Sequence, residues 1–489
     1  AMSAAEVKDG FDRARSEAAS SFGDERVFVE KFITEPRHIE IQVLGDKHGN
    51  VIHLGERDCS LQRRNQKVLE EAPSPLLDPD TRAAMGAQAV ALAKAVGYDS
   101  AGTVEFVASQ DADFYFLEMN TRLQVEHPVT ELITGIDLVE EMIRVAAGEP
   151  LRLTQDEIVP RGWAVESRLY AEDPDRNFLP SIGRLKRLSF PQESVGETTV
   201  RVDTGVVEGS DISRFYDPMI AKVITHGPTR AAAVEAMSEA LDEVVIDGIR
   251  HNGLFLGALM AHPRWREGAL STGFIAQEFD GRGAADLTEE ARRLMSAAAI
   301  ASTARDAQRR VGFGPHPAAA SDRLSAVFDD DERVDATVSG SWDNWRLEFD
   351  SGPLEVIIDS DTGGLWRGRI GGKSVVMGFN RTPPRLSLTF RGMRAGIRVA
   401  RPSVADLLAL MPKTSAADSG KKLLCPMPGL VVSLSVATGD SVEEGQQLAV
   451  IEAMKMENVL RSERAGAIKA VHVSEGDSLA VDAVILEFE

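Results

Sequence analysis

Two short stretches, residues 102–108 and 114–120, flank a turn signal at Gln110 and Asp111 and predict a β-hairpin. Pairing its strands around that turn sets Glu105 nearly opposite Glu118 on one face. Two carboxylates directly across a ladder repel unless a cation sits between them. From Glu118 the chain alternates strictly, so an extended strand is expected through residue 126, with Glu118, Asn120, Arg122, Gln124 and Glu126 on one side. Taken alone, such a face is merely solvent-facing. With Glu105 opposite, however, Glu105, Glu118 and Asn120 supply the hard oxygen ligands that a Mg²⁺ bridging nucleotide phosphates requires. Arg122 and Gln124 supply donors for a small planar anion, and Glu126 is placed to act as a base on it. Upstream, the run 56–67 would by itself be a plain charged surface loop; beside the acidic hairpin it offers phosphate-neutralising groups.

A second candidate lies near the C-terminus. Residues 428–452 and 465–489 are two copies of one unit, matched without a gap. Gly429, Val436, Gly439, Asp440, Ser441 and Glu452 recur as Gly466, Val473, Gly476, Asp477, Ser478 and Glu489. Each copy alternates apolar residues and carries a Gly-Asp turn signal, the pattern of β-hairpin material. Two such sheets folded face to face predict a small flattened barrel with pseudo-twofold symmetry. Lys455 falls midway between the copies, at the expected tip of a hairpin pointing into water. A lysine on a turn is usually a solvated charge. Here Met454 and Met456 flank it, and apolar side chains avoid an exposed tip unless something reads them.

These elements belong to a chain of 489 residues, long enough for about three domains. Its net charge of -22 argues against a nucleic-acid or anionic-membrane surface. Cys59 and Cys425 are far apart, so neither a disulfide framework nor a zinc site is implied and a reducing compartment fits. No apolar run is long enough to span a bilayer. Ala1, Met2 and Ser3 read as a truncation scar.

In chain order, an amphipathic helix is expected over 4–19, then strands over 26–33, 37–44 and 51–54. Helices follow over 80–96, 137–147 and 229–244, with turns and short strands from 201 between the last two. Gly281 and Gly283 mark a boundary. A helical pattern over 287–310 precedes short runs at 345–349, 354–358, 365–370, 374–377, 385–390 and 396–399, which suggest an antiparallel barrel without a catalytic constellation. A polar linker from about 412 has an extended reach of roughly 35 Å. The expected fold class is multidomain α+β, divided as 1–280, 281–411, a linker at 412–421, and 422–489.

Residues 453–456 resemble the attachment site of biotinyl carrier domains; lipoyl carriers typically flank their lysine with Asp and Ala. The resemblance implies that a biotin protein ligase joins biotin to the Lys455 amine. Five motifs in order, at 30–33, 36–38, 56–67, 118–127 and 166–174, resemble the C-terminal half of an ATP-grasp biotin carboxylase over about 27–279. That resemblance implies that Glu30, Lys31, Phe32 and Ile33 form a hinge around adenine, and that His38 and Gln62 contact the nucleotide sugar and phosphates. Asn65 stands where the prototype has His, and its amide can still donate to phosphate. Glu105, Glu118 and Asn120 would hold Mg²⁺ or Mn²⁺; Lys67, Arg122, Gln124 and Val125 would cradle bicarbonate. Glu126 would deprotonate it for attack on the γ-phosphate of ATP, and Arg168 would stabilise the developing enolate of biotin.

By position and pattern, 281–411 resembles the helix-plus-barrel module that docks a carboxyltransferase. Residues 287–412 are too few to hold a carboxyltransferase themselves, so a separate β subunit, and hence a hetero-oligomer, is expected. The chain is thereby identified as a member of the biotin-dependent acyl-CoA carboxylase α subunits, and 209–213, 216–219 and 425–429 resemble the propionyl-CoA branch most. A 3-methylcrotonyl-CoA or broader acyl-CoA carboxylase is the alternative within the family; a non-catalytic biotin carrier and docking scaffold is the alternative outside it. The family's N-terminal domain and glycine-rich lid would precede Ala4. These residues alone are therefore expected to be biotinylated and to bind a carboxyltransferase, yet to release no ADP. The expected setting is the bacterial cytoplasm, or the mitochondrial matrix in a eukaryote, with no nucleic-acid or membrane partner.

Overall fold

The computed structural model describes residues 3–213, 215–279, 283–311, 322–411, 422–453, 456–462 and 464–488. After helix α1 (Ala4–Phe22), the first large unit is built on β1 (Arg37–Gly45), whose two faces have opposite chemistry. Ile39, Ile41 and Val43 pack with Met85, Ala89 and Ala93 of α2 (Pro79–Ala95). The alternate residues His38, Glu40 and Gln42 form a polar face, yet Glu40 and Gln42 are fully buried. Seven further strands complete the sheet: β2 (Val51–Arg63), β3 (Gln66–Ala72), β4 (Ser100–Ala108), β5 (Phe114–Asn120), β6 (Trp163–Tyr170), β7 (Thr199–Thr204) and β8 (Met219–Gly227). Their order is β7-β8-β6-β3-β2-β1-β4-β5, with every neighbouring pair antiparallel.

Two expectations and one alternative reading fail here for physical reasons. Residues 26–33 are not a strand: they run without a sheet neighbour, and Phe28, Val29 and Phe32 are 81%, 86% and 71% exposed. β-propensity without a ladder or a face to bury does not make a strand. The run 56–67 is no surface loop but the β2–β3 hairpin, with Glu56, Arg57, Asp58, Ser60 and Gln62 buried. The strand through 118–126 stops at Asn120, and α3 (His127–Thr134) follows. Pro128 in its first turn favours a helix start, and Val129 and Ile133 bury the helix at i, i+4 spacing. Glu126 therefore occupies the N-cap position of α3. Helix α4 (Leu138–Ala146) lies where a helix was expected.

Helices α5 (Arg230–Asp242) and α6 (Gly253–Ala261) cover β6 and β8, burying Ala233, Met237, Phe255 and Leu259 in the largest core. Helix α7 (Glu289–Val311) then leads into a closed eight-stranded barrel: β9 (Asp322–Phe328), β10 (Arg333–Ser341), β11 (Asn344–Phe349), β12 (Gly352–Ser360), β13 (Leu365–Ile370), β14 (Lys373–Thr382), β15 (Arg385–Phe390) and β16 (Met393–Ala400). Every residue from Met295 to Ser302 is buried, so the middle of this helix is enclosed on all sides, which explains its small Ala-rich side chains. The first two barrel strands were not anticipated. The β15–β16 turn plugs the barrel onto α5 and α6: Arg391 donates through its backbone N–H to Asp242 Oδ1 at 2.8 Å and pairs with Glu235 Oε1 at 2.9 Å. Gly392 beside it has φ 76°, and a Cβ there would lie 2.1 Å from the Ala258 nitrogen.

The C-terminal unit has eight strands: β17 (Lys422–Leu424), β18 (Gly429–Leu434), β19 (Ser441–Val442), β20 (Gln447–Ala453), β21 (Met456–Arg461), β22 (Gly466–Val471), β23 (Ser478–Leu479) and β24 (Val484–Phe488). They form two four-stranded sheets, β17-β24-β22-β19 and β21-β20-β18-β23. The short strand of each repeat pairs with the first strand of the other, so the two copies are interlocked. The turn glycines Gly439 and Gly476 share positive φ, 94° and 87°. Strands β20 and β21 form the hairpin on which Lys455 was expected, in register at Ala453 and Met456. Met454 and Lys455 themselves lie outside the described residues, as do the linker 412–421 and Gly281. Among the described residues, no helix is long and apolar enough to cross a membrane.

Gly392→Ala should force the β15–β16 turn away from α6 and lower stability by roughly 1–3 kcal/mol. Denaturant unfolding measures this, and a change below about 0.5 kcal/mol would show the close approach to be dispensable.

Candidate active site

The strand register alone builds a row of charge. Glu40 on β1 is the Cα partner of Arg57 on β2 and of Glu105 on β4, and Glu105 is in turn the partner of Glu118 on β5. Three glutamates thus stand side by side across three strands, closed at one end by an arginine. Arg57 Nε donates to Glu40 Oε1 at 2.5 Å, and its Nη atoms reach Gln42 Oε1 at 2.7 Å, Thr130 Oγ1 at 3.0 Å and Thr103 Oγ1 at 3.2 Å.

Lys67 reaches over this row from β3. Its Nζ lies 2.6 Å from Glu40 Oε2, 2.5 Å from Glu126 Oε1, 3.2 Å from Gln124 Oε1 and 3.3 Å from Glu105 Oε1. Burial alone would raise the pKa of Glu40, but Arg57 and Lys67 outweigh it and bring it to about 2. Glu105 also falls to about 2: burial opposes, while the His38 hydrogen bond and the Lys67 charge prevail. Both acids are therefore ionised at neutral pH.

The metal-ligand candidates fit a cation. Asn120 Nδ2 donates to Glu105 Oε1 at 3.0 Å and to Glu118 Oε1 at 3.1 Å. The two carboxylates thus converge on the Asn120 amide, and with that amide turned over its Oδ1 would join them as a third oxygen donor of the kind a divalent cation takes. His38 lies alongside, with Nε2 3.1 Å from Glu105 Oε2 and Nδ1 2.9 Å from Gln62 Nε2. An amide nitrogen can only donate, so Nδ1 accepts and Nε2 carries the proton toward Glu105. Gln124 Nε2 gives Glu105 Oε1 a further bond at 2.8 Å.

Glu126 links this cluster to a second. One oxygen takes Lys67; the other, Oε2, accepts from Arg168 Nη2 at 2.8 Å. That same nitrogen lies 2.5 Å from Glu70 Oε1. Glu70 faces Glu166 across the β3–β6 ladder, and both are fully buried. Burial lifts Glu70 to about 7 although Arg168 opposes it, and burial holds Glu166 well above the usual carboxylate range although Lys222 opposes it. Lys222 Nζ donates to the Val125 carbonyl at 2.7 Å.

The structure therefore gathers His38, Gln62, Lys67, Glu105, Glu118, Asn120, Gln124, Glu126 and Arg168 at one place, with Val125 beside them through its carbonyl. Arg122 is exposed, its Nη1 donating to the Leu123 carbonyl at 3.4 Å. Glu30, Lys31 and Phe32 are exposed and Ile33 is half-buried; Lys31 lies 5.4 Å from the Tyr115 ring centroid on β5. Asn65 sits with Arg64 at the β2–β3 turn, both at positive φ, 63° and 50°. Asn tolerates that conformation better than His, so turn geometry alone accounts for the residue there. Glu40, Arg57, Glu70, Glu166 and Lys222 were missed from sequence. Their signal was charge inside apolar strands: Glu40 lies between Ile39 and Ile41, and Glu166 follows Ala164 and Val165.

Four family models match successive parts of the chain. They are the ATP-binding domain of the carbamoyl-phosphate synthase L chain at 1–154, the biotin carboxylase C-terminal domain at 166–277, the propionyl-coenzyme A carboxylase BT domain at 294–413, and the biotin-requiring enzyme model at 421–488. The chain is 50% identical to the propionyl-CoA carboxylase alpha chain of Ruegeria pomeroyi, covering 99% of this chain and 74% of that relative. It is 45% identical to the human mitochondrial propionyl-CoA carboxylase alpha chain, covering 99% and 68%. Mouse methylcrotonoyl-CoA carboxylase subunit alpha is 37% identical, covering 99% and 69%. Among solved structures, the biotin carboxylase domain of a thermophilic 2-oxoglutarate carboxylase bound to bicarbonate matches at 46% identity and TM-score 0.54, over 56% of this chain and 61% of that one. Campylobacter jejuni biotin carboxylase in complex with β,γ-ATP matches at 42% identity and TM-score 0.53, over 56% and 60%. The chain thus spans less than two thirds of the solved chains.

Glu40→Gln should leave Arg57 and Lys67 short of a buried partner and destabilise the fold at pH 7 by about 3–5 kcal/mol. The folded pKa of Glu40 is depressed, so its contribution is present above the unfolded value near 4.5 and lost as pH falls toward 2. The difference between the variant and the parent protein, followed by urea unfolding, should therefore shrink across that window. A difference independent of pH would refute the ion-pair account.

Proposed function

The chain belongs to the propionyl-CoA carboxylase alpha chains, and from that premise we propose that it uses ATP and bicarbonate to carboxylate biotin carried on Lys455. The carboxyl group then passes to propionyl-CoA on a separate carboxyltransferase β subunit, giving methylmalonyl-CoA. The observation that carries the reading is the position of Glu126, held through one oxygen by Lys67 and through the other by Arg168.

Each residue has a task that its surroundings support. Glu105, Glu118 and Asn120 hold the divalent cation, which supplies charge neutralisation at the ATP phosphates. His38 and Gln62, already hydrogen-bonded together, face the nucleotide, with Asn65 at the hairpin turn beyond. Glu30, Lys31, Phe32 and Ile33, beside the exposed Tyr115 ring, border adenine. Arg122, Gln124, Val125 and Lys67 receive bicarbonate, and Glu126 takes its proton as the anion attacks the γ-phosphate to form carboxyphosphate. The fixed carboxylate and ammonium do not reorganise as charge moves, which is where such sites gain their rate. Arg168 presents its guanidinium to the negative charge that develops on the carboxyl acceptor.

The proposed division of labour follows the domains: carboxylase half at 1–280, docking helix and barrel at 281–411, linker at 412–421 and carrier at 422–489. The barrel seats the β subunit in a hetero-oligomer, and a biotin protein ligase reads Met454 and Met456 around Lys455. Two buried free thiols, Cys59 and Cys425, suit a reducing bacterial cytoplasm.

In the assembled holoenzyme, Glu118→Ala should abolish bicarbonate-dependent ADP release while avidin still binds. Lys455→Arg should abolish avidin binding, because a guanidinium cannot form the amide that a ligase makes from an amine. Bicarbonate-dependent ADP release that survives Glu118→Ala, or avidin binding that survives Lys455→Arg, would overturn the respective assignment.

A further inference from the structure

Glu70 has no task in the reaction above, and its surroundings are unusual for an acid. It lies fully buried in β3, opposite the equally buried Glu166 of β6. None of the four carboxylate oxygens of Glu70 and Glu166 has a hydrogen bond of good geometry among the described residues, so an ion pair is what holds Glu70. Among the described residues, the cation paired with Glu70 is Arg168, with Nη2 2.5 Å from Oε1. Two adjacent buried carboxylates do not both ionise readily. Burial raises the pKa of both acids, and the Arg168 guanidinium, with Nη2 2.5 Å from Glu70 Oε1, favours charge on Glu70 over Glu166.

Arg168 depends on few anchors. Among the described residues, its Nε is buried without a hydrogen-bond partner and its Nη1 reaches only the Tyr170 hydroxyl, at 3.5 Å. The close contacts are both at Nη2, a hydrogen bond to Glu126 at 2.8 Å and an ion pair with Glu70 at 2.5 Å. When Glu126 accepts a proton its charge is lost, and with it most of its pull on the guanidinium. At that moment Arg168 must still be aimed.

We propose that Glu70 is a positioning residue for Arg168, holding the guanidinium in place while Glu126 is protonated. The proposal rests on the reading of Arg168 as the group that meets charge on the carboxyl acceptor. It assigns Glu70 to the second half of the reaction, carboxyl transfer to biotin, and not to the activation of bicarbonate.

The two halves can be read separately in the holoenzyme. Propionyl-CoA carboxylation by the biotinylated complex reports both; bicarbonate-dependent ADP release in a Lys455→Arg background reports the first alone. Glu70→Gln, nearly isosteric and uncharged, should lower kcat for carboxylation by roughly 10-fold or more. KM for ATP and bicarbonate, and ADP release in the Lys455→Arg background, should stay within about 2-fold. Glu166→Gln, which mimics the protonated acid, should leave both activities within about 2-fold. If Glu70→Gln does not fold, Glu70→Asp should give the same split with a smaller loss. Equal loss of both activities in the folded variant would reduce Glu70 to a structural role, and an unchanged kcat would remove it from the reaction; either overturns the proposal. Arg168→Lys is the separate control. Unimpaired carboxylation by that variant would refute the reading of Arg168, and the proposal for Glu70 with it.

Discussion

Three carboxylates aligned across adjacent strands would push a sheet apart, and the ammonium of Lys67 is what allows the buried pair Glu40 and Glu105 to stand together beside Glu118. Like charges directly opposite on a ladder are destabilising, and for Glu40 and Glu105 burial makes this worse because water does not screen them, whereas Glu118 is exposed. Arg57 neutralises one end of the row and Lys67 the middle, while at the far end Glu118, the proposed cation ligand, accepts from Asn120. The arrangement is costly to build and for that reason specific. Only a register that places β3 beside β2, and β4 beside β1, brings the ammonium over the acids.

The same lysine connects fold to chemistry. By bonding Glu40 and Glu126 together it ties the N-cap of α3 to the middle of the sheet, so Glu126, the proposed base, is held against two regular elements. Arg168 then ties Glu126 to β6, and α5 and α6 brace β6 and β8 from the other face. The β15–β16 turn docks on those helices, so the barrel is seated on the elements that hold the site. The interlocked repeats give the carrier hairpin a firm base of its own, two sheets that exchange their short strands.

Parts of this were legible in the sequence because they follow from local counting. The Glu105–Glu118 pairing came from turn position alone, since side-chain period in a strand is two. The carrier repeat came from identity at fixed spacing. What local patterns cannot supply is a partner. Residues 26–33 have strand composition but no neighbouring strand, and Glu118 to Glu126 alternates on paper while Pro128 and the i, i+4 apolar pair beyond it turn the chain into α3. Glu40 and Glu70 were invisible for the opposite reason. A charged residue in a strand is expected to face water, and only the assembled sheet shows that Lys67 and Arg168 are waiting on the buried side. Asn65 shows that a departure from a family pattern can answer to backbone geometry, here a turn with two residues at positive φ.

The central claim is that the Lys67 ammonium both permits the acid row and orients the base. Bicarbonate-dependent ADP release by the Lys67→Gln holoenzyme tests it most directly, with avidin binding measured on the same sample to show that the carrier is intact. The account predicts a loss of roughly 100-fold or more in ADP release with full avidin binding. Release within about 2-fold of the parent enzyme, from a complex that still binds avidin, would contradict it.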